Sequence, residues 1–222
     1  CYLLFFGKLP TKKDLTDFNL LITKKANTQI EALKKHIEAF STNSPPMCIL
    51  ASTVSALGCL DAKSNLQDSE EKRLEAMTTL FAQIKAICAV IFRFTSKQKY
   101  IPTDSSLDYS SDFIKMSFAD KFGASFEDFA KVMDLILILH ADHEQNCSAS
   151  TVRMVGSSGA SMHASITSGI HALSGPLHGG ANQAVIKMLE SIKNDGYGYK
   201  DVIKMAKDKN NPFKLMGFGH RV

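Results

Sequence analysis

Residues 125–146 read SFEDFAKVMDLILILHADHEQN, and the fold class turns on how the apolar centre of this stretch is taken. Five consecutive apolar residues, Leu135 to Leu139, suit a buried strand as well as a buried helix, because so short a run has no period of its own. The flanks decide it. Ser125 and Asp128 form the polar, acidic start that caps a helix. Phe129, Val132, Ile136 and Leu139 then recur at three- and four-residue spacing, and the pattern runs into His140 without a turn signal. A buried helix is expected here, and strand alternation persists nowhere else. The expected class is all-α.

Working outward, Thr11 and Asp14 have capping-box spacing and open a helix to about Lys25. Ile30, Leu33, Ile37 and Phe40 form one apolar stripe. Ser44-Pro45-Pro46 breaks the chain, since proline cannot continue a helix. Met47 to Leu60 is apolar on most sides and predicts a buried helix, and Asp68 and Glu71 are expected to cap a long one reaching Phe94. Residues 95–109 read as the longest loop and Ser111 to Asp120 as a short helix. Gly/Ser clusters at 156–161 and 174–180 separate three more, giving roughly eight to ten helices in all.

Composition narrows the function classes. The chain has 222 residues, 45% of them hydrophobic, with a net charge of +4, enough apolar content for a substantial core and too much for a disordered chain. No uninterrupted apolar run, Leu135 to Leu139 included, approaches the roughly 20 residues that span a membrane. Lys and Arg are scattered, so no electrostatic footprint for nucleic acid appears. Cys1, Cys48, Cys59, Cys88 and Cys147 form no metal or redox spacing and read as reduced thiols of a cytoplasmic protein. The chain opens on Cys1-Tyr2-Leu3-Leu4, stops at Gly219-His220-Arg221-Val222, and reads as an internal segment of a longer protein.

The histidines carry the chemistry. His36, His163 and His171 have nothing chemical beside them and read as structural. His140 and His143 lie three apart on one face beside Asp142 and Glu144. This is either a polar helix end that caps backbone or a pair able to ligate a metal, although the H-E-x-x-H order is missing. His178, in Gly175-Pro-Leu-His-Gly-Gly-Ala-Asn182, precedes an amphipathic helix carrying Val185, Met188, Leu189 and Ile192. The helix dipole there favours a neutral ring, which can donate N–H to an oxygen becoming negative. The following glycines permit positive φ and close approach of a substrate. A histidine capping its own helix is the alternative. Gly217-Phe218-Gly219-His220 is a short turn delivering another histidine.

These motifs together resemble citrate synthase, the bacterial type most closely. The likeness is dense from Ile136 to Val222, through ILILHADHEQN, SASTVR, SSGA, GPLHGGAN, KMLE, AKDKN and LMGFGHRV. It is thinner but collinear before that, in LPTKKDLTDF, in the Pro-Met after Ser44, and in LDYSSDFIKMSF.

The resemblance implies a multi-helical fold. Residues 1–175 would be part of a large domain, and 176–222 the cleft helices and the start of a smaller domain. It implies condensation of acetyl-CoA with oxaloacetate to citrate and CoA in a homodimer or higher homo-oligomer, with acetyl-CoA as co-substrate, no bound cofactor and no metal. By motif position, His178 would steady the thioester enol or enolate, and His220 would polarise the oxaloacetate ketone. His143 would orient oxaloacetate, Asn146 and Ser148 would support the His178 ring, and Leu177, Leu215, Met216, Gly217 and Gly219 would meet coenzyme A. The rival readings are a 2-methylcitrate synthase using propionyl-CoA, since one methylene changes binding by only about 1–3 kcal/mol, and a non-catalytic helical scaffold of the same fold, which the substitutions at 161–163 motivate. The family's base aspartate and its oxaloacetate-binding arginines fall beyond Val222, so the 222 residues alone are expected to be inactive. Ser161-Met162-His163 departs from the family's Asn-Pro-aromatic stretch, and Lys24-Lys25-Ala26-Asn27 does not match the basic patch through which some bacterial members respond to NADH.

Overall fold

The computed structural model describes residues 1–60, 69–119, 121–142 and 144–218, and within them the chain is helical with no strand. Eleven α-helices follow one another among the described residues: α1 (Tyr2–Phe6), α2 (Lys12–Ala26), α3 (Ile30–Glu38), α4 (Pro46–Leu60), α5 (Glu70–Thr95), α6 (Tyr109–Phe118), α7 (Phe126–Ala141), α8 (Cys147–Ser157), α9 (Met162–Leu173), α10 (Gly180–Asn194) and α11 (Tyr199–Lys207). They divide into two compact units, Cys1–His171 and Ala172–Val222.

The first unit is organised around α5, which packs against α2, α3, α4 and α6. Local signals set the ends of these helices. Thr11 accepts from the Asp14 N–H while the Asp14 carboxylate accepts from the Thr11 N–H, which closes the expected capping box. Ile30, Leu33 and Ile37 bury the stripe of α3; the helix ends at Glu38, so Phe40 lies beyond it. Helix α4 starts at Pro46, where proline's fixed φ and missing N–H suit a first turn, and it buries Ile49, Ala51, Val54 and Leu57.

Three local expectations are corrected. The cap of α5 is Ser69, whose hydroxyl accepts from the Lys72 N–H; Asp68 lies outside the described residues. Helix α6 begins at Tyr109 because Asp108 caps it by accepting from the Ser111 N–H, and it ends at Phe118. The third concerns α7, which is a helix as expected but not a buried one: of its residues only Ala130 is buried. Phe129, Val132 and Leu135 to Leu139 are 38–64% exposed, so an all-round apolar helix stands largely uncovered in this chain.

By length and apolar content α5 could cross a bilayer. Its four helical neighbours and the buried Gln83 and Lys85 make it the core helix of unit one instead. Helices α8 and α9 approach at Gly169, where a Cβ would stand 2.5 Å from Val152 Cγ2, so that position has no room for a side chain.

Candidate functional site

The HADHEQN segment leaves α7 by a polar turn. His140 Nδ1–H donates to the Ile136 carbonyl at 2.7 Å, turning that ring back onto its own helix. Glu144 takes φ of 55°, a left-handed conformation that few side-chain-bearing residues adopt. Its N–H donates to Asp142 Oδ1 at 3.2 Å, and the Asn146 N–H donates to the Glu144 carbonyl at 3.0 Å. Asn146 then caps α8: its Oδ1 accepts from the Ala149 N–H at 2.9 Å and from Ser148 Oγ–H at 2.8 Å. The Arg153 guanidinium donates to Gln145 Oε1 at 2.9 Å across the first two turns of the same helix. The half-buried Asn146 and Ser148 are thereby joined into one pre-set turn. His143 lies between its two stapled ends in sequence and outside the described residues. Among the described residues no group of three or more His, Cys, Asp or Glu is placed to hold a metal ion.

The second unit, described by itself, carries the remaining candidate residues. After α9 the chain turns tightly through Ser174–Gly180. The Gly179 N–H donates to the Leu173 carbonyl at 2.9 Å, and the His178 and Gly180 N–H groups both donate to the Gly175 carbonyl at 3.0 Å. His178 is half-buried, one residue before the helix cap, and its carbonyl accepts from the Ala181 N–H at 3.2 Å. The cap position belongs to Gly179.

The reason for the paired glycines differs from the expected one. Gly179 has φ of −65°, which any residue can adopt, and Gly180 is already helical. What each requires is room: a Cβ on Gly179 would lie 2.3 Å from the Leu173 carbonyl oxygen, and one on Gly180 3.1 Å from that of Gly175. The glycines hold the turn tight under His178. Positive φ is used at Gly217 instead, at 87°, where a Cβ would also stand 3.0 Å from Val185 Cγ2.

The turn at 215–218 packs on α10. The Met216 N–H donates to Met188 Sδ at 3.2 Å, and Gly217 rests on Val185. Val185 and Met188 lie about 8 and 12 Å along the helix from its first residue, at 1.5 Å per residue. One helix therefore carries His178 at its start and the glycine turn on its flank. Leu215 and Met216 are half-buried, whereas Leu177 and Phe218 are 79% and 77% exposed. Gly219 and His220 lie outside the described residues.

Sequence reasoning missed a second polar centre. Lys85 of α5 and Asp112 of α6 form a buried ion pair, each side chain 1% exposed. Asp112 also accepts from the Thr103 hydroxyl and, at 2.8 Å, from the Asp104 N–H, so loop 96–108 closes over the pair. The Lys85 ammonium lies 5.0 Å from the centre of the Tyr109 ring, which stacks on Phe81. Burial pushes the Tyr109 phenol up, and it pushes Tyr100 up to about 12, with the Asp112 charge acting in the same direction on both. The signal available was LDYSSDF, an aspartate at the fourth position after a cap, where a helix facing a core normally places an apolar residue.

The profile of the family described as "Citrate synthase, C-terminal domain" matches residues 1–222. Citrate synthase 1 of Mycobacterium tuberculosis is 40% identical over all of this chain and 52% of its own length. Citrate synthase of Corynebacterium glutamicum is 42% identical over all of this chain and 51% of its own length. The chain therefore spans about half the length of the curated relatives it matches. Among solved structures, the citrate synthase of Thermoplasma acidophilum in ternary complex with carboxymethyl coenzyme A and oxaloacetate superposes with a TM-score of 0.84 at 26% identity, over all of this chain and 56% of that one. The all-α fold, the three histidine motifs in order and a profile match from end to end agree, and this chain belongs to the citrate synthase family.

Proposed function

We propose that the whole protein condenses acetyl-CoA with oxaloacetate and water to give citrate and CoA, and that this chain supplies the histidine half of its active site. The observation that carries the reading is the second unit, where His178 stands just before the start of α10 and the turn at 215–218 packs on that helix. A new carbon–carbon bond requires a proton to leave the acetyl methyl group while the thioester oxygen gains charge. On this reading His178, at the positive end of α10, donates N–H to that oxygen as the enol or enolate forms. His220 donates to the oxaloacetate keto oxygen, which becomes the hydroxyl of citryl-CoA, and water then releases CoA. His143 orients oxaloacetate, and Asn146 with Ser148 supports the His178 ring. Leu177, Leu215, Met216, Gly217 and Gly219 line the coenzyme A path, where bare backbone at Gly217 offers close approach.

The resemblance puts the carboxylate base and the oxaloacetate-binding arginines C-terminal to Val222, so the reaction belongs to the whole protein. In that protein residues 1–175 form part of the large helical domain, and 176–222 the cleft helices and the start of the small one. A cytoplasmic home is part of the same reading, supported by five free cysteines. The homo-oligomer is supported by α7. Its exposed large apolar side chains offer on the order of 600 Å², near the roughly 800 Å² each partner gives to a stable interface.

The test is oxaloacetate-dependent release of CoA from acetyl-CoA by the full-length protein, with citrate identified as product. His178→Ala is expected to lower kcat at least 100-fold. Faster turnover of propionyl-CoA than of acetyl-CoA would move the protein to 2-methylcitrate synthesis, and no turnover of either would leave a scaffold of the same fold.

A further inference from the structure

Helix α7 is apolar almost throughout, yet the residue that reaches α6 from its middle is an exposed carboxylate, Asp134. Ala130, Met133, Asp134 and Leu137 are spaced i, i+3, i+4 and i+7, so they share one face. Ala130 is the buried residue of the helix, and Leu137 is the least exposed of the run Leu135 to Leu139. Helix α7 packs on α6, and Asp134 of this face is joined to it. Ser110, buried in the first turn of α6, donates its Oγ–H to Asp134 Oδ1 at 3.0 Å.

Asp134 is itself exposed, so what joins it to α6 is the bond rather than burial. A hydrogen bond contributes something apolar packing does not: a fixed length and angle, so the two helices cannot slide or rotate past each other without breaking it. The α6 end of this bond is itself held. Asp112, two residues on, is clamped by Lys85, Thr103 and the Asp104 N–H. The start of α7 is held separately by Phe129, stacked on Phe122 at 3.9 Å. With its first turn and its middle fixed, α7 delivers His140 and then the stapled Asp142–Ser148 turn from a defined register.

We infer that Ser110 and Asp134 are positioning residues: their hydrogen bond sets the register of α7 and so places the 140–148 segment for oxaloacetate. This rests on the function proposed above, in which that segment orients oxaloacetate. A displacement of about 1 Å at a positioned group is enough to lose much of its effect, even when its cause is remote.

The experiment uses the full-length protein and compares Asp134→Ala, Asp134→Asn and Ser110→Ala by steady-state kinetics and thermal unfolding. Asp134→Ala is expected to raise the KM for oxaloacetate about three- to tenfold while the KM for acetyl-CoA stays within about twofold, the loss of one oriented hydrogen bond. Asp134→Asn keeps an oxygen that accepts from Ser110 and is expected to restore the wild-type KM. Ser110→Ala reproduces the alanine result, and the double variant adds nothing further, because both remove the same bond. Should Asp134→Ala not fold, Ser110→Ala against Asp134→Asn carries the same comparison. An unmoved oxaloacetate KM, or Asn and Ala behaving alike with both KM values shifted, overturns the inference. A wild-type protein with no oxaloacetate-dependent CoA release removes the proposed function and this inference with it, whereas an active wild type with unmoved variants removes the inference alone.

Discussion

Lys85 and Asp112, 27 residues apart in sequence, meet in the dry interior between α5 and α6 and share a second anchor in loop 96–108. Both charges are satisfied: the carboxylate by three donors, the ammonium by the carboxylate and by the face of Tyr109. Such a pair is weak evidence for net stability, because desolvating the two charges offsets most of their attraction. Its one-sided removal is another matter.

Asp112→Ala leaves a buried ammonium without its counter-charge and frees the loop that Asp112 anchors. The expected cost is about 3–5 kcal/mol. Replacing both partners by apolar residues of similar size, as in Lys85→Met with Asp112→Leu, is expected to recover most of that loss. Denaturant unfolding of the single and double variants checks this, and a double variant no more stable than Asp112→Ala counts against the assignment.

Three carboxylates held low by hydrogen bonds make the fold acid-sensitive in a stated direction. At Asp104 the Lys115 ammonium and the Ser106 hydroxyl and N–H hold the carboxyl well below its ordinary value of 3.8. Asp14 is lowered by the Thr11 hydroxyl and N–H, and Glu75 by Lys25. A carboxyl lowered on folding binds protons less readily folded than unfolded. Its stabilisation is therefore present above its unfolded pKa and is lost as pH falls through the folded one. Asp104→Asn is expected to be less stable than the wild type near pH 6 and to converge with it only as pH falls through the lowered folded pKa. Unfolding curves at a series of pH values read this directly, and a pH-independent difference would show that Asp104 acts by shape rather than by charge.

Cysteine chemistry reports on the core around α5. Cys1, Cys48, Cys59 and Cys147 are exposed, whereas burial pushes the Cys88 thiol up from 9.0 to about 11. Only the thiolate attacks an alkylating reagent, so Cys88 is expected to react about 100-fold more slowly than an ordinary exposed thiol near pH 8. Mass spectrometry after brief labelling should find Cys88 protected in the native state and labelled in denaturant. Early native labelling at Cys88 would contradict the packing of α5.

How much of this could be read in the chain depended on distance along it. The Thr11–Asp14 box, the stripe of α3 and the break at Pro46 rest on residues a few positions apart, and they formed as expected. Helix α6, expected from Ser111, starts two residues earlier at Tyr109 because Asp108 caps it. The burial of α7 was misjudged for a different reason: an apolar pattern states that a surface needs cover and says nothing of what covers it. The Lys85–Asp112 pair was invisible because each residue alone reads as a charge on a helix. At Gly179 the residue was singled out correctly, but the cause is steric closeness rather than a special φ.

That cause makes Gly179 the sharpest local test of the candidate site. Alanine there would place its Cβ 2.3 Å from the Leu173 carbonyl oxygen, which is backbone and cannot swing aside. The turn must open, and both the Gly179 and Gly180 hydrogen bonds to the preceding segment are disturbed. Gly217→Ala fails differently, since it forces φ of 87° on a residue with a Cβ and presses it toward Val185, a side chain that can yield. Each substitution is expected to cost about 1–3 kcal/mol through strain or overpacking. Their kinetic effects should part. Gly179→Ala shifts His178 and is expected to lower kcat at least tenfold, while Gly217→Ala shifts the turn assigned to coenzyme A and is expected to act mainly on the KM for acetyl-CoA. If Gly179→Ala instead leaves kcat intact in the full-length protein, the tight turn is not what places His178, and the role given to the paired glycines falls.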